Sequence, residues 1–272
     1  MNVLKDYSLI YDDQCPLCKT YTKAFVLTGV LEENGRQAFQ EVSEETCTLI
    51  DRKRACNEIA LVNYKTGEVI YGIDSILKIA TTVIPFSKFI FHFPPIYWFL
   101  KKLYSFISFN RKIIMPSKKI NDTCTPDFNL KYRISYLFFT WSITAYLLMR
   151  YSIHFSPFLN ESSFGREFII CGGQIVFQAI LLRKLQKEKL FQYLGNMMTI
   201  SFAGAIILGI VLFVGNIFSI YSFNFYFISF FIVVFLMLLE HLRRVKLIQL
   251  SLLPTLTWIT YRIIVLLILL VL

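Results

Sequence analysis

The chain has 272 residues, of which 56% are hydrophobic, 17% aromatic and only 17% charged, and its mean hydropathy is +0.56. Soluble domains carry about 25% charged residues, so this composition excludes a wholly soluble chain and equally a disordered one. The net charge of +10 is unevenly spread: residues 1–130 hold 16 Lys and Arg against 14 Asp and Glu, and residues 131–272 hold 12 against 4. Basic residues flanking long apolar runs are a membrane-topology signal rather than a phosphate-binding surface, so nucleic acid is not the expected partner.

The first half reads as a small α/β unit. Val3–Tyr11 is rich in strand formers and ends at Asp12 and Asp13. Pro16 to Leu31 carries Leu17, Tyr21, Ala24, Phe25 and Leu31 at helical spacing. Arg36–Val42 follows an Asn34-Gly35 turn signal as a second strand. Glu58–Tyr64 and Glu68–Tyr71 form a hairpin around Lys65-Thr66-Gly67, and Gly72–Val83 is a helix. Residues 84–114 are apolar but broken by Pro94-Pro95 and punctuated by Lys. They read as an amphipathic helix at the bilayer surface, with packing onto the α/β unit as the other reading.

The second half reads as membrane spans. Uncharged stretches run over residues 134–149, 168–182, 191–239, 247–261 and 263–272. A spanning helix wants roughly 20 apolar residues. The third stretch supplies two helices with a break near residues 216–224, and the last two form one helix containing Arg262. This gives about five spans, or four if residues 168–182 do not cross. Arg111, Lys112, Lys118, Lys119, Lys131 and Arg133 precede the first span. Arg183, Lys184, Lys187 and Lys189, and later Arg243, Arg244 and Lys246, fall on the same side. By the positive-inside rule the N-terminal domain is cytoplasmic, in the cytoplasmic (inner) membrane of the cell, and the C-terminus is outside. The first residues lack the charged and apolar regions of a signal peptide. The expected domains are 1–115, a linker 116–133 and a membrane domain 134–272.

The sharpest local feature is Cys15-Pro16-Leu17-Cys18, between a strand and a helix. Two cysteines three apart on a first helical turn can bridge. The first, expected to be the exposed one, gains thiolate character from free N–H groups and the helix dipole. Pro16 suits the first turn because no intrahelical partner awaits its missing N–H. In a reducing cytosol the pattern reads as a redox pair, with structural zinc as the competitor. Zinc would need further ligands, for which Cys47, Cys56 and the isolated His92 are poorly spaced, so neither metal nor cofactor is expected. Cys124 lies in a polar stretch and is the candidate third thiol; Cys171 is a single cysteine inside a span. Gln174, Gln178, Arg262 and Glu240-His241 are polar groups in or at spans. They read as interhelical hydrogen-bonding groups or as the lining of a pathway, beside a Ser201, Ala205, Gly209 packing stripe.

Asp12-Asp13-Gln14-Cys15-Pro16-Leu17-Cys18, preceded by Leu9-Ile10-Tyr11, resembles the DCC family of thiol–disulfide oxidoreductases, named for its Asp-x-x-Cys-x-x-Cys motif. Asp12, Cys15 and Cys18 fall on the motif positions. Tyr71 to Ile76 resembles the family's "G-x-[DE]-A" helix start, and Tyr104 to Arg111 its closing "Y-x-x-x-A-x-N-R" segment. The resemblance implies an α/β thioredoxin-like N-terminal domain, here followed by an all-α membrane domain, and protein-disulfide reductase activity on a protein or small-molecule disulfide. Cys15 would attack, Cys18 would resolve, and Asp12 would relay a proton or cap the helix. One departure is that the strand facing the pair follows Arg54-Ala55-Cys56-Asn57, without the proline usual in thioredoxin folds. The membrane half lies outside the resemblance. It keeps open a second reading, a subunit or scaffold of a membrane assembly with other membrane-protein subunits as partners. A conduit for reducing equivalents would want paired intramembrane cysteines and ranks last.

Overall fold

A computed structural model of the chain describes residues 4–42, 48–117, 126–155, 160 and 162–271. The chain divides into two compact units, Met1–Tyr132 and Arg133–Leu272.

The first unit runs β1 (Tyr7–Tyr11), α1 (Pro16–Leu27), β2 (Arg36–Ala38), α2 (Arg52–Asn57), β3 (Ala60–Asn63), β4 (Val69–Tyr71), α3 (Ile73–Val83), α4 (Ser87–Phe91) and α5 (Pro94–Ile114). The sheet order is β2-β1-β3-β4. β1 pairs parallel with β2, with Leu9 opposite Arg36, and antiparallel with β3, with Leu9 opposite Leu61. β4 closes a hairpin on β3. This is the arrangement expected of a thioredoxin-like unit. Strand alternation sends side chains to two cores. Leu9 and Leu61 pack with Leu31, Ile59 and Ile79 on one face, and Ile10, Ala60 and Val62 with Phe39, Ile50 and Ala55 on the other.

Element ends differ from the sequence expectation for local reasons. β1 begins at Tyr7 rather than Val3 because Asp6 adopts φ 64, outside extended conformation. α1 stops at Leu27 rather than Leu31. Gly29 (φ 67) ends it with bonds from its own N–H to the Val26 carbonyl and from the Val30 N–H to the Phe25 carbonyl, a left-handed cap that glycine adopts without steric cost. β2 stops at Ala38 because residues 39–41 coil into a short 3-10 turn. At the start of α3, Gly72 has φ 65, and a Cβ there would lie 2.7 Å from the Glu58 carboxylate and 3.3 Å from the Tyr104 ring. This gives the glycine of the resembling segment a steric reason.

The second unit is α6 (Leu130–Ser152, its first residues belonging to the first unit), α7 (Phe164–Leu181), α8 (Lys187–Ile217), α9 (Phe223–Leu247) and α10 (Leu253–Val271). Among the described residues four helices, α7 to α10, are long and apolar enough to cross a membrane. The sequence reading expected about five, and the helix that falls short is the first, α6, not residues 168–182. Its polar side chains explain this: Tyr136, Thr140, Thr144 and Tyr151 are buried. α6 runs parallel to α8, with Arg133 donating to the Phe191 carbonyl, the Tyr136 and Thr199 hydroxyls 2.8 Å apart, and Leu147 against Gly209. At its far end the Tyr151 hydroxyl donates to the Tyr226 carbonyl. Arg262 lies within a continuous α10, as expected from reading the last two apolar stretches as one helix.

The polar groups of this unit mostly bind one another. Thr257 donates to Gln178, His241 lies between Tyr193 and Thr255, and Arg244 reaches Asn196 and Glu240. These contacts fit the interhelical hydrogen-bonding reading for Gln178 and His241, whereas Glu240 pairs with Arg243 and Arg244 of its own helix.

Candidate active site

Cys15 occupies the N-cap of α1 (φ −92, ψ 109), and its sulfur accepts the Cys18 N–H at 3.4 Å. Pro16 is the first helical residue, as expected from its missing N–H. Cys15, Cys18 and Cys171 are free thiols. Cys56 is disulfide-bonded, and Cys47 and Cys124 lie outside the described residues.

The expectation that Cys15 is exposed is corrected by the structure. Cys15 is 4% and Cys18 2% accessible. Tyr11, Leu17, Tyr21 and Ala38 pack around the two sulfurs. The Ser117 hydroxyl donates to the Gln14 carbonyl, so the segment leaving α5 is tied to the loop before Cys15.

The residue missed by the sequence reading of the site is Arg111. It was counted with the charges flanking the first span, yet it is buried, and its Nη2 bridges Asp12 Oδ2 at 3.1 Å and the Cys56 carbonyl at 2.9 Å. The other Asp12 oxygen accepts the Gln14 N–H at 3.0 Å. Asp12 therefore shapes the turn into α1 but is not its N-cap, a position Cys15 holds. Arg133 and Arg244, also counted as flanking charges, are likewise buried.

The segment from Tyr104 to Arg111 works as one device. The Tyr104 hydroxyl accepts the Ile59 N–H at 3.1 Å, Ser108 donates to the Asn57 carbonyl, and Asn110 donates to the Phe106 and Tyr132 carbonyls. α5 is thereby pinned beside the approach to β3, which delivers Arg111 to Asp12. The signal for Arg111 was in the sequence, as the Asn-Arg pair closing the resembling segment. What it lacked was a partner, because Asp12 lies 99 residues earlier. Where a thioredoxin fold usually places a proline, the Cys56 carbonyl is bound to Arg111.

These contacts separate the two thiols electrostatically. The hydrogen bond from the Cys18 thiol is the largest influence on Cys15. With the Cys18 N–H and the Arg111 charge, it outweighs burial and the Asp12 charge and lowers Cys15 to about 7. The same hydrogen bond, together with burial, pushes Cys18 far above the usual thiol range. Burial also raises Tyr21 and Tyr104, so both phenols stay protonated and neutral. Burial opposes the charge on Arg111, but Cys18, Cys15 and Asp12 overcome it and hold the guanidinium cationic. One acidic thiol at the N-cap and one reluctant thiol three residues on is the asymmetry that disulfide exchange uses, since the thiolate is the nucleophile. Among the described residues no group of three or more His, Cys, Asp or Glu side chains is arranged to hold a metal.

No curated protein and no solved structure matches the chain. Residues 9–115 match the family model of the DCC1-like thiol-disulfide oxidoreductases. That stretch begins in β1 and ends just past α5, so it includes Asp12, both cysteines, Tyr104 and Arg111. Over that stretch the N-terminal unit is similar to the DCC1-like thiol-disulfide oxidoreductases.

Proposed function

We propose that the protein is a membrane-bound thiol–disulfide oxidoreductase of the protein-disulfide reductase type. The observation that carries this reading is the Cys15–Cys18 pair at the start of α1, the Cys18 N–H on the Cys15 sulfur, beside the buried Arg111–Asp12 ion pair. The Cys15 thiolate attacks a substrate disulfide, forming a Cys15–substrate disulfide and releasing the other substrate sulfur as thiolate. Cys15 then no longer carries the negative charge that holds the Cys18 proton. Cys18 loses its proton and attacks Cys15, and the second substrate sulfur leaves. The substrate gains two electrons, the enzyme becomes the Cys15–Cys18 disulfide, and a thiol reductant restores the dithiol. Arg111 stabilises each transient thiolate, and we propose that Asp12, paired with Arg111, relays the Cys18 proton.

The expected result for Cys18→Ser in cells is accumulation of mixed disulfides through Cys15. They are visible as high-mass bands on non-reducing gels and disappear with dithiothreitol. Cys15→Ser/Cys18→Ser should show none. Burial of both sulfurs favours a second reading, a membrane-assembly subunit whose cysteine pair is structural. That reading requires the Cys18→Ser sample to carry no mixed disulfide while remaining associated with stable partner subunits.

The membrane unit anchors this chemistry. We propose five crossings, with α6 as the fifth, because it lies along α8 from the level of Phe191 to the level of Leu208 with Tyr136, Thr140, Thr144 and Tyr151 turned inward. Five crossings place the redox unit on the side of Arg183, Lys184, Lys187 and Lys189, the cytoplasmic side by the positive-inside rule. Reporter fusions after Lys189 and Lys246 should report the inside, and a fusion after Leu272 the outside. An inside signal at Leu272 would mean an even number of crossings and would remove α6 from the set.

A further inference from the structure

The first unit carries an apolar surface that its own fold does not cover. Phe86 is 92% and Phe89 88% accessible, and Trp98 is 62% accessible. Phe93, Phe99 and Leu103 extend the patch along α5. Soluble surfaces seldom gather large apolar side chains in this way unless something covers them. Nor is the patch the loose face of an unanchored helix. Tyr104, Ser108 and Arg111, on the other side of α5, are fixed to Ile59, Asn57 and Asp12. α4 is held in its turn by the Ser87 hydroxyl donating to the Ile84 carbonyl.

The charge around the patch identifies its cover. Lys88, Lys101 and Lys102 are all exposed, and no Asp or Glu occurs between residues 75 and 121. A second copy of this face would set like charges against each other. A bilayer with anionic lipids offers an apolar interior beneath a negative surface, and the chain that carries the patch also carries four membrane-capable helices. Aromatic rings mixed with lysines are the composition of segments lying at headgroup depth, with the lysine stems reaching outward.

We propose that α4 and the exposed side of α5 dock the redox unit on the headgroup region of an anionic bilayer. The proposal rests on the membrane location and not on the chemistry assigned to Cys15. One consequence concerns the substrate: the helix that lies on the lipid also delivers Arg111 to the active site. Disulfides presented at the membrane surface are then the substrates favoured over those free in solution.

The test uses the full chain in nanodiscs of phosphatidylcholine with phosphatidylglycerol. The photoreactive residue p-benzoylphenylalanine replaces Phe86, Phe89 or, as a control, the exposed Leu27 of α1. Irradiation should attach phospholipid, identified by mass, at positions 86 and 89 and not at position 27. Lys88→Glu/Lys101→Glu/Lys102→Glu should lower the lipid adduct at Phe89 by at least about tenfold, because each lysine near an anionic surface adds to binding. Trp98 gives a second reading without a photoprobe. Brominated lipids should quench a component of the fluorescence that is absent in Trp98→Phe. Adducts to a second copy or to another protein, equal labelling at position 27, or a Trp98 component quenched by aqueous iodide instead of bromolipid would each overturn the proposal. Loss of exchange activity in Cys15→Ser leaves all of these readouts unchanged, so the two proposals fail separately.

Discussion

Cys15→Ser is expected to bring disulfide exchange to background, because the nucleophile is removed while the neighbouring thiol stays protonated. The pH dependence carries the sharper information. With Cys15 lowered to about 7, the rate of Cys15 alkylation in the reduced protein should climb about tenfold per pH unit below that value and level off above it. The sign follows from the groups around the sulfur. The Cys18 thiol, the Cys18 N–H and Arg111 favour the thiolate, while burial and Asp12 oppose it. Cys18→Ala removes the largest favourable contribution, so the midpoint should move up toward the ordinary thiol range near 9. Cys15→Ala, read at Cys18, should show no comparable alkaline gain in reactivity near 7. Both cysteines are nearly inaccessible, so a small reagent such as iodoacetamide is needed, and a bulky maleimide should react more slowly at every pH. Equal midpoints for the two cysteines, followed separately in the reduced wild-type protein by mass spectrometry of the alkylated peptides, would sink the assignment of attacking and resolving thiols.

Arg111→Met is expected to be the most damaging substitution outside the cysteines. The side chains of Arg111 and Asp12 are 4% and 2% accessible, and removing one member of a buried pair leaves the other charged without compensation, at a cost of about 3–5 kcal/mol. The thermal midpoint of the detergent-solubilised full chain should fall markedly. Asp12→Asn/Arg111→Met leaves no buried charge and should recover part of the loss, since replacing both members of such a pair is far less costly than breaking it. A purely structural role would stop there. The position of Arg111 beside the thiols adds a second expectation. Losing its charge should raise the Cys15 midpoint, and Asp12→Asn alone should lower it, because the two charges act on Cys15 in opposite directions. A Cys15 midpoint unmoved by both variants would reduce the pair to a folding element.

What the residues determine locally was legible from their order alone. The cysteine pair behind a strand, with Pro16 in the first turn, defines its position at the helix start. Turn glycines and alternating apolar residues outline the sheet and the hairpin. Long uncharged runs identify four of the helices, because length and apolarity are properties of a segment by itself. The family resemblance, carried by Asp12, Cys15, Cys18 and the Tyr104–Arg111 segment, pointed to the same chemistry.

Three features depend on contacts between distant residues. Arg111 looked like a charge flanking a membrane span until the fold set it against Asp12, and only that pairing turns a topology signal into part of a redox site. Cys15 looked exposed because a helix N-terminus usually faces solvent, but Tyr11, Leu17 and Ala38 close over it. α6 is the mirror image of this problem. Its tyrosines and threonines make the segment too polar to qualify as a span on composition, yet packing buries Tyr136, Thr140, Thr144 and Tyr151, and Tyr136 bonds to α8 and Tyr151 to α9. A side chain's charge and polarity belong to the sequence. Whether that charge meets water, lipid or an opposite charge is decided only when the chain folds, because electrostatic and desolvation energies depend on neighbours in space.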